Sequence, residues 1–138
     1  MAQTVLDFFI GKENTIAITG NLDGIVGIET TLDFDADIFE YKGHKKGAFN
    51  HINIPQKTGK IGLIITNSDG SVVTDKNVDI CYFSFLVKSG QEGQSFPFKF
   101  EDTKFKNSEG EVQGKANNAN IILKNVNEIW IRLVKRED

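Results

Sequence analysis

Cysteine is almost absent from this chain. Cys81 is the only one in 138 residues, which excludes an internal disulfide. It shares its alternation with Phe83, Phe85 and Val87, the setting of a small buried thiol rather than a nucleophile. Proline is scarce, and Met and Trp occur once each. Basic residues form no cluster, and the net charge of −3 argues against a nucleic-acid binder that works through the phosphate backbone. No apolar run approaches membrane-spanning length. Met1-Ala2-Gln3 lacks the charged and apolar regions of a signal peptide, so the chain is expected to be a module of a longer protein whose export signal lies outside it.

Catalytic and metal signatures are missing as well. There is no Gly-x-Ser-x-Gly elbow and no glycine-rich phosphate loop. His44 and His51 have no Cys, His or Asp partners at zinc spacing. The run Asn67-Ser68-Asp69-Gly70-Ser71 does not meet the calcium-loop pattern and is assigned to ordinary turn chemistry. Asp33, Asp35 and Asp37 alternate at a strand end, where carboxylates make a solvated corner. A glycosidase would need a cleft around such a pair. No enzyme activity and no resident cofactor or metal are expected.

What is present is 11 Phe and 13 Gly, the mixture of strands and turns. The length suits one domain with a two-layer core. The chain is organised around residues 24–41, GIVGIETTLDFDADIFEY. Ile28, Thr30, Leu32 and Phe34 alternate with Gly27, Glu29, Thr31 and Asp33, so one side is mainly apolar and the other carries charge. The period breaks at Asp35-Ala36-Asp37 before the apolar Ile38, Phe39 and Tyr41. A long strand followed by a corner implies a two-sheet sandwich.

Around it, residues 4–10 and 15–19 read as an edge pair, and residues 42–47 as a loop. Residues 49–54 and 60–66 read as strands; in the latter Ile61, Leu63 and Ile65 oppose Gly62, Ile64 and Thr66. Residues 78–88 have the alternation of a core strand. Residues 96–105 follow as a strand, 106–111 as a turn and 121–123 as a closing strand. In residues 128–135 β-branched content favours one further strand, although the same residues satisfy helical spacing.

Several of these pieces, in this order, resemble the cohesin domains of cellulosome-type scaffolding proteins. Gly24-Ile25-Val26-Gly27, Phe34-Asp35 and Ile38-Phe39 stand where the family has a Gly-Ile-Ala-Gly-like start, Tyr/Phe-Asp-Pro and Val-Leu-x-Val. Gly59-Lys60-Ile61, Leu86-Val87-Lys88-Ser89-Gly90 and the strand at 96–105 with its turn are similar to later family pieces. Ala36 replaces the usual corner proline. The resemblance covers roughly residues 14–124.

It implies an all-β jelly-roll β-sandwich of about nine strands in two sheets, a single domain with its core at about 4–124 and a C-terminal extension at 125–138. It also implies a non-catalytic module that binds a calcium-loaded dockerin, with calcium on the dockerin, in a larger protein outside the cell or at its surface. The isolated chain is expected to be monomeric, without nucleic-acid or membrane partners. The binding face would be a flat sheet of residues 25–34, 49–54, 60–66 and 96–105. Its outward positions would be Gly27, Glu29, Thr31, Asp33, Gly62, Ile64 and Thr66, with Asn67, Glu111 and Val112 flanking them. Glu29 stands where cohesins often place a dockerin-binding aspartate, Ile64 where they place an exposed leucine, and Gly27 replaces a common polar contact.

Rivals come from other classes. A jelly-roll carbohydrate-binding module would present aromatic platforms, and the outward positions above contain none; Trp130 is the one candidate outside them. An adhesive or purely structural sandwich repeat fits the same pattern.

Overall fold

The computed structural model describes residues 4–49, 51–54, 56–67, 72–74, 77–126 and 131–137. Among them the strands are β1 (Thr4–Phe9), β2 (Glu13–Gly20), β3 (Gly27–Asp33), β4 (Phe39–Lys46), β5 (His51–Asn53), β6 (Gln56–Lys57), β7 (Lys60–Thr66), β8 (Val78–Val87), β9 (Ser95–Asn107), β10 (Gly110–Val112) and β11 (Ala119–Lys124). They form two sheets. The larger runs β1-β11-β9-β3-β7-β5, with β10 added to β9 and β6 to β7; the smaller runs β2-β8-β4. This is the expected jelly-roll sandwich, and the organising strand lies inside its larger sheet.

Burial follows the alternation. Ile28 and Leu32 from β3 with Phe34 directly after it, Ile61, Leu63 and Ile65 from β7, and Cys81, Phe83, Phe85 and Val87 from β8 are all buried. Rings tie the sheets together: Phe98 of β9 packs against Phe85 of β8 at 5.0 Å, Phe39 of β4 at 4.9 Å and Phe8 of β1 at 5.7 Å between centroids. Each pair is edge-on, the arrangement that the ring quadrupole favours.

The corner after β3 holds without proline. The Asp37 N–H donates to the Asp35 carboxylate at 2.9 Å, and the Phe39 N–H to the Asp35 carbonyl at 2.9 Å. An aspartate side chain thereby does locally what a fixed φ would have done, and β4 starts in the opposite sheet.

Four expectations are corrected. β1 and β2 do not pair with each other: β1 runs parallel to β11, and β2 antiparallel to β8. Residues 42–46 continue β4 along the edge of the small sheet, with a bulge between Tyr41 and Gly43, so their polarity marks a solvated strand edge rather than a loop. Residues 110–112 form strand β10 rather than part of a turn, because the tight reversal at 108–109 returns the chain onto β9. Residues 131–135, the described part of the expected last strand, carry no regular structure, and among the described residues no strand pairs with them. Trp130 lies outside the described residues.

Two measurements check this core. Phe98→Ala removes the ring that joins three strands and should cost about 3–5 kcal/mol in a denaturant titration. Burial pushes the Cys81 thiol up to about 12 and the Tyr41 hydroxyl up to about 12. The unfolded chain therefore loses these protons first, and stability should fall as the pH climbs from the ordinary cysteine value towards 12. Cys81→Ala should cost about 1 kcal/mol at neutral pH and flatten that alkaline decline. Native Cys81 should resist thiol reagents; prompt labelling would contradict its burial.

Candidate binding face

The outer side of the large sheet is built in rows, because strand register places residues of equal parity side by side. β3 runs antiparallel to both neighbours, so each outward residue on it has a partner on either flank. Glu29 lies between Ile64 of β7 and Lys104 of β9. Thr31 lies between Gly62 and Glu101, and Asp33 between Lys60 and Lys99. Gly27 lies between Thr66 and Lys106, and Lys106 in turn pairs with Glu111 of β10.

Eight of the ten residues named from the sequence thus share one surface, and Asn67 continues β7 directly from Thr66. Val112 does not belong to it. It pairs with Phe105 and is half-buried against the core, because its parity is opposite to that of Glu111. Gly27 offers the surface little contact: it is buried, and a Cβ there would lie 3.3 Å from the Thr66 methyl, tighter than ordinary packing.

Ile64 is the apolar feature of the face, 38% exposed beside Glu29. Gly62 and Thr66 flank it along β7, and Glu29 and Asn53 are its partners on the neighbouring strands. No aromatic ring occupies the outward positions just named.

The sequence reading left out the β9 flank of this face. Phe96, Phe98 and Phe100 face inward along β9, and after two further residues the inward set resumes at Thr103 and Phe105. The shift is a bulge opposite Thr30, with Asp102 at a φ of 52°. Thr30, buried, hydrogen-bonds the Thr103 hydroxyl at 2.7 Å and donates to the Glu101 carbonyl at 3.2 Å, which satisfies polar groups at the irregularity. Without the extra residue Lys104 and Lys106 would point into the core and Phe105 out of it. The change of phenylalanine parity between residues 100 and 105 was the sequence signal for it.

No family model matches the chain, and no curated protein matches it. Solved structures do. The seventh ScaB type I cohesin from Pseudobacteroides cellulosolvens superposes with a TM-score of 0.78 at 16% identity, covering 96% of this chain and 95% of that one. The cohesin of the Coh-OlpA–Doc918 type I cohesin–dockerin complex from Clostridium thermocellum gives 0.77 at 13% identity, over 88% and 95%. A non-cellulosomal cohesin from the hyperthermophilic archaeon Archaeoglobus fulgidus gives 0.73 at 13%, over 88% and 87%. The chain has the cohesin fold.

On this cohesin fold the charged rim is internally linked. Lys60 Nζ reaches over β3 to donate to Glu101 Oε2 at 3.0 Å. That bond, and the charge behind it, hold the Glu101 carboxyl below the ordinary glutamate value and raise the Lys60 ammonium above the ordinary lysine value. Among the described residues no three His, Cys, Asp or Glu side chains come together as a metal site would require. No helix there is long and apolar enough to cross a membrane.

The bridge gives a site-specific test. The contribution of Glu101 to stability is present above the ordinary glutamate pKa and is lost as the pH falls through its lowered folded value. Carbon-13 NMR should therefore show Glu101 titrating below an unperturbed glutamate, and Lys60→Met should return its midpoint upwards. An unchanged midpoint in the variant would mean that the bridge does not persist in solution.

Proposed function

We propose that this chain is a non-catalytic protein-binding module whose β10-β9-β3-β7-β5 face takes a dockerin. The observation that carries the reading is the row Lys104, Glu29, Ile64, an exposed aliphatic residue beside a carboxylate on this sheet. A helical partner can seat an apolar side chain against Ile64 while a Ser, Thr, Lys or Arg donates to Glu29. The cohesin–dockerin complexes among the structural neighbours support the same partner class. In this reading calcium belongs to the dockerin. The module acts outside the cell or at its surface, within a larger protein.

The sugar-binding alternative gains no support from this face, since stacking platforms require rings and the described outward residues supply none.

Calorimetry with a panel of calcium-loaded dockerins tests the assignment. Wild type should bind at least one of them, and Ile64→Asp should weaken that complex by about thirtyfold or more, equivalent to about 2 kcal/mol. Glu29→Ala should weaken it as well. The melting midpoints of both variants should stay close to wild type, because neither side chain contributes to the core. Chelating calcium should end binding by unfolding the dockerin. Full affinity in both variants would place the interface elsewhere on the sandwich.

A further inference from the structure

The two sheets part at one end of the sandwich. β1 and β2 meet at their turn, where the Lys12 N–H donates to the Phe9 carbonyl, but each then takes its ladder from a different sheet. Between them a cleft of about 740 Å³ opens into the interior, walled by Leu6, Ile16, Ile18, Ile28, Phe100 and Phe105. Folded interiors leave few gaps larger than a water molecule, so inward aliphatic residues lining a space of this size lack packing partners. Leu6, Ile16, Ile18, Phe100 and Phe105 accordingly stay only half-buried despite their inward parity. In the described ladders β1 is the last strand of the large sheet and β2 the last of the small one, so each has an edge facing the opening.

The same chain carries a segment whose apolar side chains are exposed among the described residues. Ile131 and Leu133 are 98% and 102% exposed, and Val134 is 53% exposed. Residues 131–134 alternate as a strand does, with Ile131 and Leu133 on one side and Arg132 and Val134 on the other. A bare alternating run of this kind is a strand in want of a sheet edge.

We propose that residues 131–134 form a strap that closes this cleft within the same chain, adding as a strand along the open edge of β1 with Ile131 and Leu133 filling the apolar space. The connection is long enough. β11 ends at Lys124 opposite Phe9, and Leu6 pairs with Ile121, three residues back along the ladder. The strap must cross to the far side of β1, two strand spacings or about 10 Å, and run back a further ~10 Å. Residues 125–130 span up to about 20 Å when extended, against a direct distance of about 14 Å for those two perpendicular steps. Returning from the end of β11, the strap runs antiparallel to β1, and Arg132 stays at the surface. Because Ile28 of β3 lines the cleft, the closed strap also supports from behind the strand that carries Glu29 and Thr31.

Methyl-labelled NMR on the full chain tests the proposal, with melting curves and dye binding as companions. Expected are contacts from the Leu133 methyls to those of Leu6 or Ile18, and slowed amide exchange at residues 131–134. Ile131→Asp combined with Leu133→Asp should lower the melting midpoint by several degrees and raise the fluorescence of a dye that binds apolar surface, whereas Val134→Ser, on the outward side of the strap, should do neither. Absence of the contacts together with unchanged melting in the double variant would overturn the strap. Contacts or stabilisation that vanish on dilution would also overturn it, because they would assign the occupant of the cleft to a second copy.

Discussion

The packing of Phe98 against Phe85 is the contact on which the rest of the architecture depends. The two rings come from different sheets, and with Phe8, Phe34 and Phe39 around them they fix how β9 faces β8. Aromatic rings bury much area at small cost in side-chain entropy, which suits a chain of this length without a disulfide. Once β9 is held there, β3 is confined between β9 and β7, and its inward residues close the core over the small sheet.

The outward surface is a consequence of that confinement. On β3 every residue that seals the core is followed by one that builds the face, so Leu32 and Thr31 are set by a single register. A slip of one residue would exchange them. The bulge at Asp102 carries the same logic onto β9: it resets parity after Phe100, keeps Phe105 inside and turns Lys104 and Lys106 towards the rows of β3. The bonds from the buried Thr30 hydroxyl to Thr103 and to the Glu101 carbonyl support the irregularity, and among the described residues no buried side-chain polar atom lacks a partner.

The surface that results is mixed rather than of one sign. Lysines of β9 face carboxylates of β3 across the ladder, and Lys60 reaches Glu101 over the strand between them. Ile64, partly exposed, is the apolar residue within this mixed rim. The contrast between a well-packed interior around Phe98 and a parted end near β1 and β2 shows that one sandwich can be rigid behind its face and open at its margin.

Much of this was legible in the residues alone. Period-two alternation assigned the inner and outer sides of β3, β7 and β8 correctly, because burial of one face leaves a strand no freedom of parity. It put Glu29, Thr31 and Asp33 on the outer side of β3 and Gly62, Ile64 and Thr66 on the outer side of β7; that the two sets share one face was implied by the family resemblance. Alternation carries no information about which edge meets which. It could not separate β1 from β2, extend β4 through its polar stretch, or see that the hairpin at 108–109 would turn Val112 inward, since these depend on hydrogen-bond partners distant in the chain. The basic flank of the face escaped for the same reason: the two-residue step from Phe100 to Thr103 acquires meaning only when β9 is laid against β3. The sequence by itself determined which residues each strand would bury and which it would show, through the hydrophobic effect acting on a fixed pleat. Only the tertiary structure decided which strands became neighbours, because pairing is settled by the packing of the phenylalanine core and the ladder bonds it permits.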